Sequence, residues 1–144
     1  MAAIHNLDEL KGKLNQPGTL SQLLTPQDFA AEGLVAETMA KSFKGKLKPT
    51  QMRKVFHSFK QIERRLRASK DEEAIRPELQ AEISLQVPNL AYAVGRELLP
   101  KDFYDVLKLC LHQEKIKTAA DVRRLNQLLT AILAYQKYYE KERD

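Results

Sequence analysis

The sequence predicts an all-α protein. Apolar residues recur at three- and four-residue intervals almost throughout, alternating β-branched runs are missing, and Ala, Leu, Glu, Lys and Gln are abundant. A chain of 144 residues with 43% hydrophobic and 30% charged side chains can build one sizeable core, so the expectation is a single domain with a helical core over residues 26–142.

The boundaries come from caps and prolines. Residues 1–25 contain "NQPGT" (Asn15–Thr19) and read as a loosely helical segment; two readings stand for it, a mobile end or a surface packed on a partner. "TPQD" (Thr25–Asp28) offers an N-cap, Pro at the first helical position and an acid at the third, opening a helix to about Phe43. Gly45 breaks that pattern, and "KP" (Lys48–Pro49) starts a helix reaching about Ala68. Pro77 opens a short helix, Pro88 a second and Pro100 a third, which ends near Ile116. "TAAD" (Thr118–Asp121) resembles a capping box before "VRRLNQLLTAILAYQKYYEKE", the longest helix. The sum is a compact bundle of five to six helices with short connections.

Several classes of chemistry are disfavoured. Cys110 is the single cysteine, so no intramolecular disulfide forms and zinc-type spacing is absent. His5, His57 and His112 are scattered, and Glu72, Glu73, Glu78 and Glu82 read as a solvated helix face rather than a nuclease metal site. Neither a Gly-rich phosphate loop nor a Ser–His or Cys–His neighbourhood is visible. The expectation is therefore a non-enzyme with no metal, cofactor or small-molecule substrate. Without a membrane-length apolar run or an export signal, the expected compartment is the cytoplasm.

The charge is distributed unevenly. Lys41–Lys70 holds eleven Lys or Arg and one acid, Glu63, a net +10 that leaves −5 for the remainder of a chain whose total is +5. Within it, Met52, Val55, Phe56, Phe59, Ile62 and Leu66 share one face of the Lys48–Ala68 helix, the spacing of a core-facing stripe. Arg53, His57, Lys60, Arg64 and Arg67 form a second stripe roughly 120° around, with no acid in it. Like charges so close repel by a few tenths of a kcal/mol per pair. The alternatives are a solvated face, a face paired with acids such as Asp71–Glu73, or a track for an anion. Over about 21 Å of helix such a track follows several phosphates, and Lys41, Lys44, Lys46 and Lys48 lie on its approach. Nucleic acid is the leading partner; a membrane would need the apolar face that the core takes up. No base-reading code is present, so contact with phosphates should be independent of sequence. Tyr92, Tyr135, Tyr138 and Tyr139 fit packing better than base stacking.

"LKPTQMRKVFHSFKQIE" (Leu47–Glu63) resembles the signature helix of the small subunit of type III-A CRISPR effector complexes, the Csm interference complex. "PNLAYAVGR" (Pro88–Arg96) and "LNQLLTAILAYQKYY" (Leu125–Tyr139) are similar to an internal segment and the C-terminal helix of that family, over residues 30–140 in all. The resemblance implies an all-helical, non-catalytic subunit that stacks in multiple copies along the guide RNA–target RNA duplex, beside other effector subunits, and holds the target strand. It also implies RNA contacts at Lys48, Gln51, Arg53, Lys54, Lys60 and Arg64. The basic stripe adds His57 and Arg67, and Arg96 is a second-rank candidate. The competing reading is a helical homodimeric adaptor whose basic face binds an acidic partner.

Overall fold

A computed structural model describes residues 3–141 of the protein. Eight helices are formed by these residues: α1 Leu7–Leu14, α2 Leu20–Leu23, α3 Pro26–Phe29, α4 Val35–Ser42, α5 Pro49–Arg64, α6 Pro77–Gly95, α7 Lys101–Cys110 and α8 Ala119–Lys141. Among the described residues there is no strand, only an isolated antiparallel bridge between Ala74 and Thr118. The all-α class is as expected. Glu142, the last residue expected in the C-terminal helix, lies outside the described residues.

Helix α8 is the spine. It packs mainly between α4 and α5, with α2 and α3 against it, while α7 bridges α1 and α6 on the far side of the core. Its apolar positions Val122, Leu125, Leu128, Leu129 and Ile132 are all buried. They meet Phe29, Met39, Phe59 and Phe103 in one continuous cluster, which also takes in Ile4, Leu10, Leu14, Leu20, Leu23 and Leu24. The N-terminal segment thus buries its own leucines in the same core.

Helices α1 and α2 form within the first 25 residues and bring the number to eight; from Pro26 onward the described residues form six, with two boundaries displaced for physical reasons. The helix expected from Thr25 to Phe43 divides into α3 and α4 at Gly33, whose φ of +85° is a left-handed conformation that only glycine adopts freely. Glu37 Oε1 then accepts the Gly33 N–H at 2.8 Å, fastening the new start. Conversely, the helices expected to part at Pro88 are one, α6, which runs straight through the proline. Ile83 before it and Leu90 after it are both buried in the core. That packing holds the helix together although Pro88 donates no backbone hydrogen bond. Gly45, at φ +83°, makes the expected break before α5.

Asp121 ties the two ends of the sequence. It is fully buried, and its carboxylate accepts the Ser21 N–H at 2.9 Å, the Ser21 hydroxyl at 2.6 Å, and the Lys117 and Thr118 N–H groups at 2.9 Å each. The last of these is the reciprocal half of the capping box expected at "TAAD". Lys115 works alongside, its ammonium donating to Gln16 O and Gly18 O.

Candidate nucleic-acid interface

Helix α5 is fixed to the body by Met52, Val55, Phe59 and Ile62, and the turn beyond it by Leu66; all five are buried. Phe56 is only partly buried, at the edge of this stripe, where the Lys60 ammonium lies 5.6 Å from its ring centroid. Pro49 occupies the first turn, and the Lys48 N–H donates to Leu98 O, so the start of α5 rests on the segment following α6. The helix ends at Arg64, short of Ala68, and the chain continues through tight turns in which Leu66 and Arg67 bond back three residues. Arg123 of α8 stabilises this exit. One of its terminal nitrogens donates to Leu66 O at 2.9 Å and Ser69 O at 2.7 Å, and the other pairs with Asp71 at 2.5 Å. A cation suits the negative end of a helix.

The basic stripe faces outward. Arg53, His57, Arg64 and Arg67 are exposed and Lys60 is half-exposed. Among the described residues His57 bonds only Gln61 and Arg53 only Thr50, both within their own helix. Among the described residues, neither Arg64 nor Arg67 pairs with an acid. Lys60 has one ionic partner, Glu63 at 3.5 Å. Glu63 also accepts from Asn126 Nδ2 at 2.7 Å, which turns the single acid of the segment towards α8. Lys60, Glu63, Arg64, Arg67 and Arg123 line an open depression of about 460 Å³ at the C-terminal end of the stripe.

Helix α8 continues the surface. It runs antiparallel to α5: Asn126 reaches Phe59 O, whereas ten residues later Gln136 reaches Leu47 O. Arg123, Gln127, Thr130, Ala134 and Lys137 step by four, three, four and three, the rhythm of the α5 stripe, and from Gln127 onward each is exposed. Two parallel ridges result, both without an acidic side chain at these positions. Arg123 was missed from sequence alone. Its signal was "VRR" in the first turn of a helix, where cations oppose the macrodipole and therefore need another reason to be present.

The other candidates scatter around these ridges. Gln51 and Lys54 line a shallow cleft between α5 and α6 together with Ser58, Gln86 and Asn89. Lys48 is exposed at the start of α5. Arg96 sits at the C-cap of α6, stacked over the Tyr92 ring at 5.7 Å and donating to its hydroxyl at 2.9 Å. Arg65, part of the +10, is engaged with Glu82 of α6.

Side chains suited to catalysis are dispersed. No three His, Cys, Asp or Glu side chains among the described residues gather as a metal site requires. Cys110 is fully buried, and burial pushes its thiol up to about 12. No helix of the described residues is long and apolar enough to cross a membrane. Tyr135, Tyr138 and Tyr139 line an open depression of about 830 Å³ shared with Glu32, Glu37 and Lys41. Hydrogen bonds from the Tyr139 hydroxyl and the Gly33 N–H hold the Glu37 carboxyl below its ordinary pKa. Carboxylates in that wall make it a poor phosphate site.

A family model, Csm2 Type III-A, matches residues 29–142. The chain belongs to this family. It is the small-subunit family of the type III-A CRISPR effector complex, as the three resembling stretches imply. The match spans α4 to α8 whole, including both ridges, and leaves α1 and α2 outside. No curated protein and no solved structure matches the chain.

Proposed function

We propose that this Csm2-family chain is a non-catalytic, cytoplasmic RNA-binding subunit of a type III-A CRISPR ribonucleoprotein. Several copies stack along the guide RNA–target RNA duplex in antiviral defence, beside other effector subunits, and hold the target strand through its phosphates. The observation carrying this reading is the exposed Arg53–His57–Lys60–Arg64–Arg67 stripe, whose nearest acid is turned onto α8. Anchored by a rigid apolar face, the guanidinium groups present paired donors to a polyanion without reorganising the fold. Reading the backbone alone makes the contact indifferent to sequence, as a subunit serving many guides requires. Each copy neutralises a few phosphates, so one copy binds weakly and assembly supplies avidity.

Binding of fluorescent RNA of unrelated sequences over a salt series tests this. The expected result is similar affinity for each sequence and a log–log slope near −0.7 per phosphate contacted on single strands. Absence of binding at low salt, together with failure to assemble with partner subunits, would instead favour the homodimeric adaptor with an acidic protein partner.

A further inference from the structure

Four cations converge on the depression at the C-terminal end of the α5 stripe. Lys60, Arg64 and Arg67 reach it from α5 and its exit turn, and Arg123 from α8. Glu63 is the acid among its lining residues, and its Oε1 is already taken by the Asn126 amide and the Lys60 ammonium. Four cations against one carboxylate leave a net +3.

Arg123 differs from the other three in being fixed. One terminal nitrogen donates to both Leu66 O and Ser69 O, so two of the five guanidinium donors are spent on the turn that carries Arg67. The same turn bonds back on itself, the Arg67 N–H donating to Arg64 O. The guanidinium of Arg123 is therefore set against the stripe before any ligand arrives, which spares the cost of ordering it on binding. Its other terminal nitrogen faces the Asp71 carboxylate at 2.5 Å.

Asp71 is held only by its backbone. Its carbonyl accepts the Ala120 N–H at 3.0 Å, whereas its side chain is 71% exposed and, among the described residues, bonds Arg123 alone. An exposed carboxylate in one ion pair holds weakly and exchanges readily. Carboxylate and phosphate oxygens offer the same acceptors to a guanidinium fork, so a phosphate can take the place that Asp71 fills. With Asp71 counted, the net charge of the group falls from +3 to +2.

We infer that this depression is a phosphate-binding pocket with Arg123 as its fixed contact, and that Asp71 occupies the Arg123 fork until a phosphate displaces it. The inference rests on the RNA reading for the source of the phosphate alone, a linkage within the strand or a phosphate at its end. Asp71 is then an internal competitor that lowers the affinity of the pocket. A lone phosphate gains little by displacing it, and a strand that also lies along the stripe gains most.

The test is RNA binding by Asp71→Asn, which removes the competing charge and keeps the shape. Affinity at low salt should rise about 3- to 5-fold, the range that loss of one surface ion pair allows. Glu72→Gln is the control for net charge, since Glu72 is an exposed neighbour without an ion pair to a described residue, and its gain should be less than half as large. In an Arg123→Gln background the Asp71→Asn gain should vanish, and Arg123→Gln by itself should reduce the log–log salt slope on single strands by about 0.7, one phosphate contact. RNA with and without a 5′-phosphate separates the two sources: an equal gain on both assigns a linkage, a gain confined to the phosphorylated strand assigns its end. Inorganic phosphate reads the pocket without RNA, and should shift the Leu66–Ser69 amide resonances at lower concentration in Asp71→Asn than in wild type. Those shifts in a chain that binds no RNA would refute the RNA reading and not the pocket. Asp71→Asn binding no tighter than Glu72→Gln, a gain that survives Arg123→Gln, or amide resonances indifferent to phosphate in Asp71→Asn would each overturn the inference.

Discussion

Asn126 Nδ2 on α8 donates to Glu63 Oε1 on α5 at 2.7 Å, and to Phe59 O at 3.0 Å. One buried amide thereby holds two helices together and draws the only acid of the basic segment to the α8 side of α5. Glu63→Gln keeps an acceptor for that amide while removing the charge. Unfolding free energy should change by no more than about 0.5 kcal/mol, because the geometry is retained. RNA affinity at low salt should rise, because Lys60 loses its only ionic partner among the described residues. Urea denaturation and fluorescence anisotropy check the two halves; unchanged RNA affinity would show that Lys60 contributes nothing to the track.

Reversing Arg53, Lys60 and Arg64 together to Glu should abolish RNA association while leaving helicity intact and the melting temperature nearly unchanged. Two of the three are exposed and make no ion pair with a described residue, and the third has one pair of the surface kind worth under about 1 kcal/mol. Arg65→Glu is the matched control. It is equally basic and lies one residue beyond Arg64, but it faces α6 and pairs with Glu82. Its reversal should leave most RNA affinity in place and cost up to about 1 kcal/mol of stability. Equal loss of binding in both variants would make net charge, rather than the stripe, the determinant.

Pro88 shows how far local rules carry. It marks a helix start in the sequence, yet α6 passes through it because Ile83 and Leu90 are buried on the same side of the helix. Local propensity is overruled there by burial on both sides of the break, a contact that no window of sequence contains. Replacing it by Ala restores a backbone donor at an exposed position, so Pro88→Ala should stabilise the chain by about 1–3 kcal/mol in chemical denaturation. A destabilised variant would mean that the proline sets a bend the core depends on.

The basic stripe itself was legible from period alone, since Arg53, His57, Lys60, Arg64 and Arg67 and the apolar face opposite them lie within one helix and its exit turn. What could not be read were the partners brought from afar. Arg123 lies 56 residues beyond Arg67 yet lines the same depression, and Glu63 is turned by an amide 63 residues away. Period places a residue on a face; only the antiparallel seating of α8 on α5 says which neighbouring face joins it. The same limit explains Arg65, which its position inside the +10 run makes indistinguishable from Arg64 until Glu82 is seen beside it.

Asp121 should govern the stability of the fold at acid pH. Burial by itself would raise its pKa, but the Ser21 hydroxyl and the N–H groups of Lys117, Ser21 and Thr118 outweigh it and hold the carboxyl below its ordinary value of 3.8. A carboxyl whose pKa is lower folded than unfolded binds fewer protons in the native state. Its contribution is therefore fully present above about pH 4 and is lost as the pH falls through the folded-state value. Asp121→Ala leaves the donors of Ser21, Lys117 and Thr118 without that acceptor, and should destabilise the chain by about 3 kcal/mol at pH 7. The gap between wild type and variant, measured by urea denaturation, should hold from pH 7 to pH 5 and narrow towards pH 3. A gap constant across that range would show that Asp121 acts by shape and not by charge. Because its donors come from the start of α2 and the start of α8, the variant should also release the N-terminal leucines first, seen as early hydrogen exchange at Leu20–Leu24.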